Sequence, residues 1–265
     1  MRGGVIFGAA GVLTILEYRR ALRKSQREPK VYREVRNLVI AAAAGLVMQF
    51  LERPPAVWLA RKVKAKGWGL APMVSRSPVA QTLFSVAILD YGLYCWHVLT
   101  HKVPFLWRFH LVHHIDLDLD ASTALRFHFG EMVLSVPWRL GQIVVAGASP
   151  LALSMWQTFL FTSILFHHSN VEIPWKAERW LRFLIMTPRL HGIHHGANQT
   201  RTNSNWSSGL AFWDLLHGTQ LWDANTGTIG VPAYQDQKDV KLARCLTLPF
   251  ERQRADWVSE TDQGF

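Results

Sequence analysis

Apolar and polar positions alternate along this chain in long blocks, with little of the two-residue alternation that marks a half-buried strand. Residues 5–16 (VIFGAAGVLTIL) form a first apolar run, short of the ~20 residues of a full membrane span. Arg2 precedes it, but no small-residue cleavage word closes it, so it predicts an uncleaved, tilted or partly inserted helix. Residues 17–36 follow, crowded with Arg and Lys, and predict a solvated helix face or a cytoplasmic loop. A second apolar helix is expected over 38–51, broken at Pro54-Pro55. After a basic connection from about 61 to 76, further apolar helices are expected over 79–99, 132–148 and 151–166. The word GASP at 147–150 reads as a tight turn, making the last two a helical hairpin. The expected fold is all-α: an integral membrane bundle of about four to five membrane helices. Residues 1–78 would supply N-terminal helices and a basic loop, 79–222 the chemistry, and 223–265 a polar peripheral tail.

Composition sharpens this picture. The chain has 265 residues, 49% of them hydrophobic, with 12 Trp and a formal charge of +10. Mean hydropathy is +0.05. Trp is enriched at bilayer interfaces, and positive charge suits an anionic membrane face, so a membrane is favoured over nucleic acid as the partner. The two cysteines, Cys95 and Cys245, form neither a disulfide framework nor a CxxC metal word.

Eight of the 12 histidines fall in three words: HVLTH at 97–101, HLVHH at 110–114 and HGIHH at 191–195. Positions i, i+3 and i+4 share one helical face. His97 and His101 are therefore neighbours, as are His110, His113 and His114, and His191, His194 and His195. At this histidine content one HxxHH word arises by chance in roughly one such chain in forty, and two are far rarer. Neutral imidazole is the commonest side-chain metal ligand. One tetrahedral zinc takes only three or four protein ligands, so the excess predicts two adjacent metals. All-nitrogen ligation suits iron, zinc, copper or nickel and excludes magnesium and calcium. Counting spans from a cytosolic 17–36 loop places every cluster at one membrane face, the cytoplasmic one. Six basic residues between 52 and 78 oppose that count, and a re-entrant second hairpin would reconcile them.

Other polar residues are candidates for support. Asp90 lies seven residues before His97 on the same helical face, where it could fix a ligand's tautomer or bond between helices. Asp116, Asp118 and Asp120 in DLDLD read as a solvated loop or an interfacial segment rather than a carboxylate site. Arg126 and Glu131 flank His128 and would either brace it by ion pairing or form a simple surface pair. Trp213 and Asp214 are expected to pack and cap the fold near the last histidine word.

The series HVLTH, HLVHH, HHSNV, HGIHH and WDLLHGT, with LDYGLYCWH, FLWRFH, TALRFHFGE and TPRLHGIHH around it, resembles the fatty acid hydroxylase/sterol desaturase superfamily. The resemblance runs from about 90 to 219. That family consists of membrane di-iron enzymes, and the resemblance implies metal ligation by His97, His101, His110, His113, His114, His168, His191, His194 and His195. It makes His128 a further candidate, as a ligand or as a brace behind one, whereas His167 has no family counterpart. It also implies two iron ions with zinc as a substitute, O2 as co-substrate and a lipid taken from the bilayer. Electrons would come from an external donor of the cytochrome, ferredoxin or reductase type. Val98, Asn205-Trp206-Ser207 and His217 depart from the family's pattern without removing a ligand. The competing expectation is a histidine-rich membrane protein that binds or transports metal. A zinc hydrolase is disfavoured, because no HExxH word is present.

Overall fold

The computed structural model describes residues 2–24 and 26–257. Its thirteen described α-helices, in chain order, are α1 Arg2–Arg19, α2 Lys30–Val47, α3 Arg53–Lys66, α4 Ala71–Val74, α5 Pro78–Lys102, α6 Pro104–His114, α7 Phe129–Ala146, α8 Pro150–His168, α9 Trp175–Leu181, α10 Pro188–His194, α11 Gln199–Thr202, α12 Phe212–Leu216 and α13 Leu242–Thr247. The described residues form isolated β-bridges but no strand.

One local device starts three of these helices. Ser77-Pro78, Ser149-Pro150 and Thr187-Pro188 each place a hydroxyl at the N-cap and a proline at the first helical position. The hydroxyls accept from the backbone N–H of Ala80, Ala152 and Leu190. The proline costs nothing there, because its missing N–H would have had no intrahelical partner.

Pro54-Pro55 do not end a helix as the sequence suggests. A π-helical turn, Met48–Glu52, joins α2 directly to α3, and the Arg53 N–H reaches back to the Met48 carbonyl. The prolines sit in the first turn of α3, where the wider π-turn has already broken the i→i−4 ladder. No chain reversal occurs between Lys30 and Lys66, which removes the re-entrant hairpin. The segment Lys30–Val74 and helix Pro78–Lys102 are each long and apolar enough to cross a membrane.

The 147–150 turn is tight, as its composition implies. Gly147 ends α7 at φ 71°, and the Leu70 N–H donates to the Val145 carbonyl beside it at 2.9 Å. A Cβ on Gly69 would lie 2.3 Å from the Gly147 nitrogen, so this backbone contact requires glycine.

Helices α3, α5, α7 and α8 share one apolar core that includes Ala60, Val63, Leu89, Ile143, Trp156 and Leu160. A second core joins Ile40 of α2, Leu111 and Val112 of α6, and Val231, Tyr234, Val240 and Leu248 from the C-terminal segment. The buried apolar residues of that segment cover α6, which carries a histidine word, while most of the rest of the described segment is half-buried or exposed. Its last residues, 258–265, lie outside the described set.

The basic segment and the acidic loop also differ from expectation. Arg33, Arg36 and Asp116 are buried. The Asp116 carboxylate accepts from Arg36 at 3.0 Å, Arg33 at 3.1 Å, Asn37 at 3.1 Å and Thr123 at 2.9 Å. Arg33 also pairs with Asp120, and Arg36 with Glu28. Asp118 accepts the backbone N–H groups of Arg27 and Glu28. Neither stretch is simply solvated, because each neutralises the other. The loop that leaves α6 is thereby pinned to α2.

Candidate metal centre

The histidines occupy helix ends that converge. His97 and His101 lie one turn apart near the end of α5. His110, His113 and His114 fill the last turns of α6. His168 ends α8, and His191, His194 and His195 come from α10 and its C-cap. Their ligand atoms form two groups. His97, His101, His110, His114 and His194 make the first, and His113, His168, His191 and His195 the second. Within a group the ligand atoms lie within 4.8 Å of one another. The two i, i+3, i+4 words are thus split between groups: His113 joins the second group and His194 the first. The groups abut, with the His114 and His195 rings stacked 4.3 Å apart.

The hydrogen bonds of the first group orient it for ligation. His97 Nδ1 lies 2.6 Å from the Trp206 carbonyl, His194 Nδ1 2.7 Å from the Ser204 carbonyl, and His110 Nδ1 3.0 Å from Glu131 Oε1. A carbonyl or carboxylate partner requires the proton on Nδ1 and leaves a lone pair on Nε2. The Nε2 atoms of all five members are buried and without a hydrogen-bond partner. Five converging Nε2 atoms that nothing in the protein satisfies, three of them with the proton held on Nδ1, suit one cation.

In the second group, His168 Nδ1 donates to the Ile164 carbonyl at 2.8 Å. Nε2 contacts run from His113 to His168 at 3.1 Å, His168 to His191 at 3.0 Å and His191 to His195 at 3.1 Å. A cation bound at about 2.0–2.1 Å by nitrogen separates adjacent ligands by about 2.9 Å at right angles and 3.4 Å at tetrahedral angles. The observed contacts fall within that span. The donor set of both groups therefore fits two transition-metal ions, and excludes hard cations that take oxygen ligands.

Electrostatics agree with neutral ligands. Burial, and then the neighbouring imidazoles, hold His113, His114, His191 and His195 well below the usual 6.5. Burial lowers His194 to about 3 despite its bond to Ser204. Burial alone would raise Asp116, but Arg126, Arg33 and Arg36 outweigh it and bring it down to about 2.

Several supporting residues take roles other than those expected. Glu131 holds His110, not His128. His128 caps α7 and lies 3.2 Å from the Leu246 carbonyl, outside both groups. Arg126 bonds to the Val112 carbonyl, Asn37 and Cys245 instead of bracing His128. Asp90 accepts from Leu210 N–H at 3.0 Å and from Trp213 Nε1 at 2.8 Å, and among the described residues no hydrogen bond links it to a histidine. Asp214 accepts from the N–H groups of Trp206 and Ser207. It thereby fixes the loop whose carbonyls hold His97 and His194. His167 lies beside the second group, 4.0 Å from the His191 ring, without joining the converging atoms. His217 stacks on Tyr91 and Tyr94. The carbonyls of Ser204 and Trp206 carry no side-chain signal and were not visible in the sequence. Glu131 was visible, but its partner depends on the turn from α6 to α7.

An apolar cavity of about 220 Å³ opens onto both groups. Its histidine end includes His97, His110, His113 and His168, and Leu93, Trp96, Leu160 and Phe161 continue its wall.

Comparison with known proteins identifies the family. A sequence model of the fatty acid hydroxylase family matches residues 82–219. Ornithine lipid hydroxylase of Rhizobium tropici is 35% identical over 142 residues, covering 52% of this chain and 41% of that protein. Cholesterol 25-hydroxylase of Mus musculus is 26% identical over 143 residues, covering 53% and 47%. Alkylglycerol monooxygenase of Homo sapiens is 30% identical over 138 residues, covering 49% and 28%. The matched segment thus spans less than half the length of each of these relatives. No solved structure matches significantly.

Proposed function

The chain belongs to the fatty acid hydroxylase family, and from that premise we propose that it is a membrane-bound di-iron oxidoreductase that uses O2 to hydroxylate an unactivated C–H bond of a lipid. The observation that carries this reading is the joining of two abutting imidazole groups to the end of an apolar cavity. His97, His101, His110, His114 and His194 would hold one iron, and His113, His168, His191 and His195 the other. When bound, the irons supply the redox chemistry that activates O2.

The residues of the chain do the rest. Glu131 and the carbonyls of Ser204 and Trp206 keep protons on Nδ1 and lone pairs on Nε2. Leu93, Leu160 and Phe161 place an alkyl carbon near the histidines and exclude water. Hydroxylation sends one oxygen atom into the alcohol and the other into water, consuming two electrons and two protons. The electrons come from a separate donor protein of the cytochrome, ferredoxin or reductase type.

A membrane location is supported by the two long apolar helices. Large apolar side chains also face outward on several others, including Phe7 and Ile15 on α1, Val145 on α7, and Leu151 and Met155 on α8. So much exposed apolar surface on one molecule requires a bilayer or a partner. With α1, α7 and α8 inserted as well, the bundle has four to five membrane helices and its histidine end faces the cytoplasm. The named relatives are hydroxylases or monooxygenases of lipids, which favours hydroxylation over desaturation.

The test is turnover of membrane lipids by iron-loaded protein with a reductant and oxygen-18 gas. Label in a product alcohol supports hydroxylation. An unlabelled alkene would show desaturation, and no iron-dependent lipid product would contradict the proposal.

A further inference from the structure

The cavity that opens onto the histidines does not stay apolar to its far end. Away from the metal groups its lining runs past Leu93, Leu160 and Met48 and reaches Arg139 on α7 and Gln157 on α8. At 1.5 Å rise per residue, Arg139 lies about 12 Å along α7 from Glu131, and Gln157 about 16 Å along α8 from His168.

Arg139 is held from behind. Its Nε lies 3.4 Å from Oε2 of Glu52 and donates to the Ser135 hydroxyl at 3.2 Å. Glu52 is 4% exposed, and its Oε2 accepts no hydrogen bond. Among the described residues, no hydrogen bond engages the terminal guanidinium nitrogens of Arg139 or the side-chain amide of Gln157. An alkyl chain packed against these groups would leave them unsatisfied. Ionisable residues inside a membrane bundle mark ligand paths more often than they serve packing. Gln157 also lines a second cleft of about 330 Å³ with Arg53, Val57, Pro150, Leu153 and Ser154, between α3 and α8. That cleft gives the polar end a route to the surrounding lipid.

We propose that Arg139 and Gln157 recognise a neutral hydrogen-bonding group, a hydroxyl or an amide, on the lipid whose chain extends from there to the histidines. This rests on the lipid-oxidising reading above and adds to it the polar feature that sets the lipid's position. Neutrality follows from Glu52. The Arg139 charge is already matched, so a carboxylate would bring a second, uncompensated negative charge into a low-dielectric site. A hydroxyl or an amide can accept from Arg139 and exchange hydrogen bonds with Gln157. The distance between the two ends then makes the cavity a ruler, fixing which carbon faces the metals.

The test uses the full chain in detergent, with a fluorescent acyl probe displaced by dodecane, dodecanol, dodecanamide or dodecanoate. Wild type is expected to bind dodecanol and dodecanamide about tenfold or more tightly than dodecane, since a site built for a polar group discriminates strongly. Gln157→Leu leaves the ion pair in place and should reduce that preference to about twofold or less on the same scale. Glu52→Gln removes the countercharge and should make dodecanoate the preferred ligand, which a purely structural ion pair would not do. Equal binding of all four compounds to wild type, or a preference untouched by both substitutions, would overturn the inference. Oxygen-18 incorporation by iron-loaded protein separates the two readings. Equal binding of the four compounds by wild type that still oxidises lipid sinks this inference alone. A persistent preference without lipid oxidation upholds it and sinks the oxidase reading.

Discussion

Replacing Asp116 with Asn tests whether the N-terminal basic segment acts as a clamp on the second histidine word. Asp116 follows His113 and His114 by only a few residues, is fully buried, and accepts from Arg33, Arg36, Asn37 and Thr123, with Arg126 3.8 Å away. Asn resembles the protonated acid in shape and in lacking charge. Its cost can therefore be read from the lowering of the Asp116 carboxyl from 3.8 to about 2, which corresponds to about 2 kcal/mol at 1.36 kcal/mol per pKa unit. Asp116→Ala also removes the acceptors and leaves buried guanidinium groups unpaired, which costs about 3–5 kcal/mol. Because the folded value is depressed, this stability is present above the unfolded value and lost as pH falls from about 4 through about 2. Chemical denaturation of both variants in mild detergent, repeated across that acidic range, measures the effect. The expected order is wild type, Asn, then Ala, with the wild-type advantage over Asn shrinking as pH falls. An Asn variant as stable as wild type at neutral pH, or an advantage independent of pH, would refute the clamp.

Other consequences of the geometry can be measured separately. Glu131→Gln replaces the carboxylate partner of His110 and should weaken metal binding about 10- to 100-fold, read by competition with a chelator. His101→Ala and His195→Ala should each remove one metal per chain, because the two residues belong to different groups, and metal analysis reads this directly. Metal-free protein should lose thermal stability as pH falls below about 6.5. Its buried histidines, held well below that value, take up protons more readily when unfolded. Asp90→Ala should release the 210–213 segment it anchors and cost about 1–3 kcal/mol, visible in the thermal midpoint, while metal content stays unchanged.

The sequence exposed the histidine clusters far better than the residues that hold them in place. The i, i+3, i+4 spacing placed His110, His113 and His114 on one helix face, and the structure puts all nine expected histidines into two groups. Spacing alone did not show that HLVHH and HGIHH each divide between the groups while HVLTH stays whole, because that depends on where α5, α8 and α10 approach α6. The partners of His97 and His194 are backbone carbonyls, which leave no mark in composition. The acidic word DLDLD looked solvated because its countercharges lie some 80 residues away, on α2. Pro54-Pro55 looked like a helix end because a π-turn is a backbone adjustment that residue types do not announce. The serine–proline and threonine–proline helix starts were legible because their cause is local.

The account depends on two neighbouring metal ions held only by imidazole nitrogen. Iron X-ray absorption and metal analysis on the purified, iron-loaded chain test it most directly. The expected result is two irons per chain, each surrounded by nitrogen or oxygen ligands with an imidazole scattering pattern, and a second iron within range of the first. One iron per chain, or two isolated irons lacking imidazole, would contradict it.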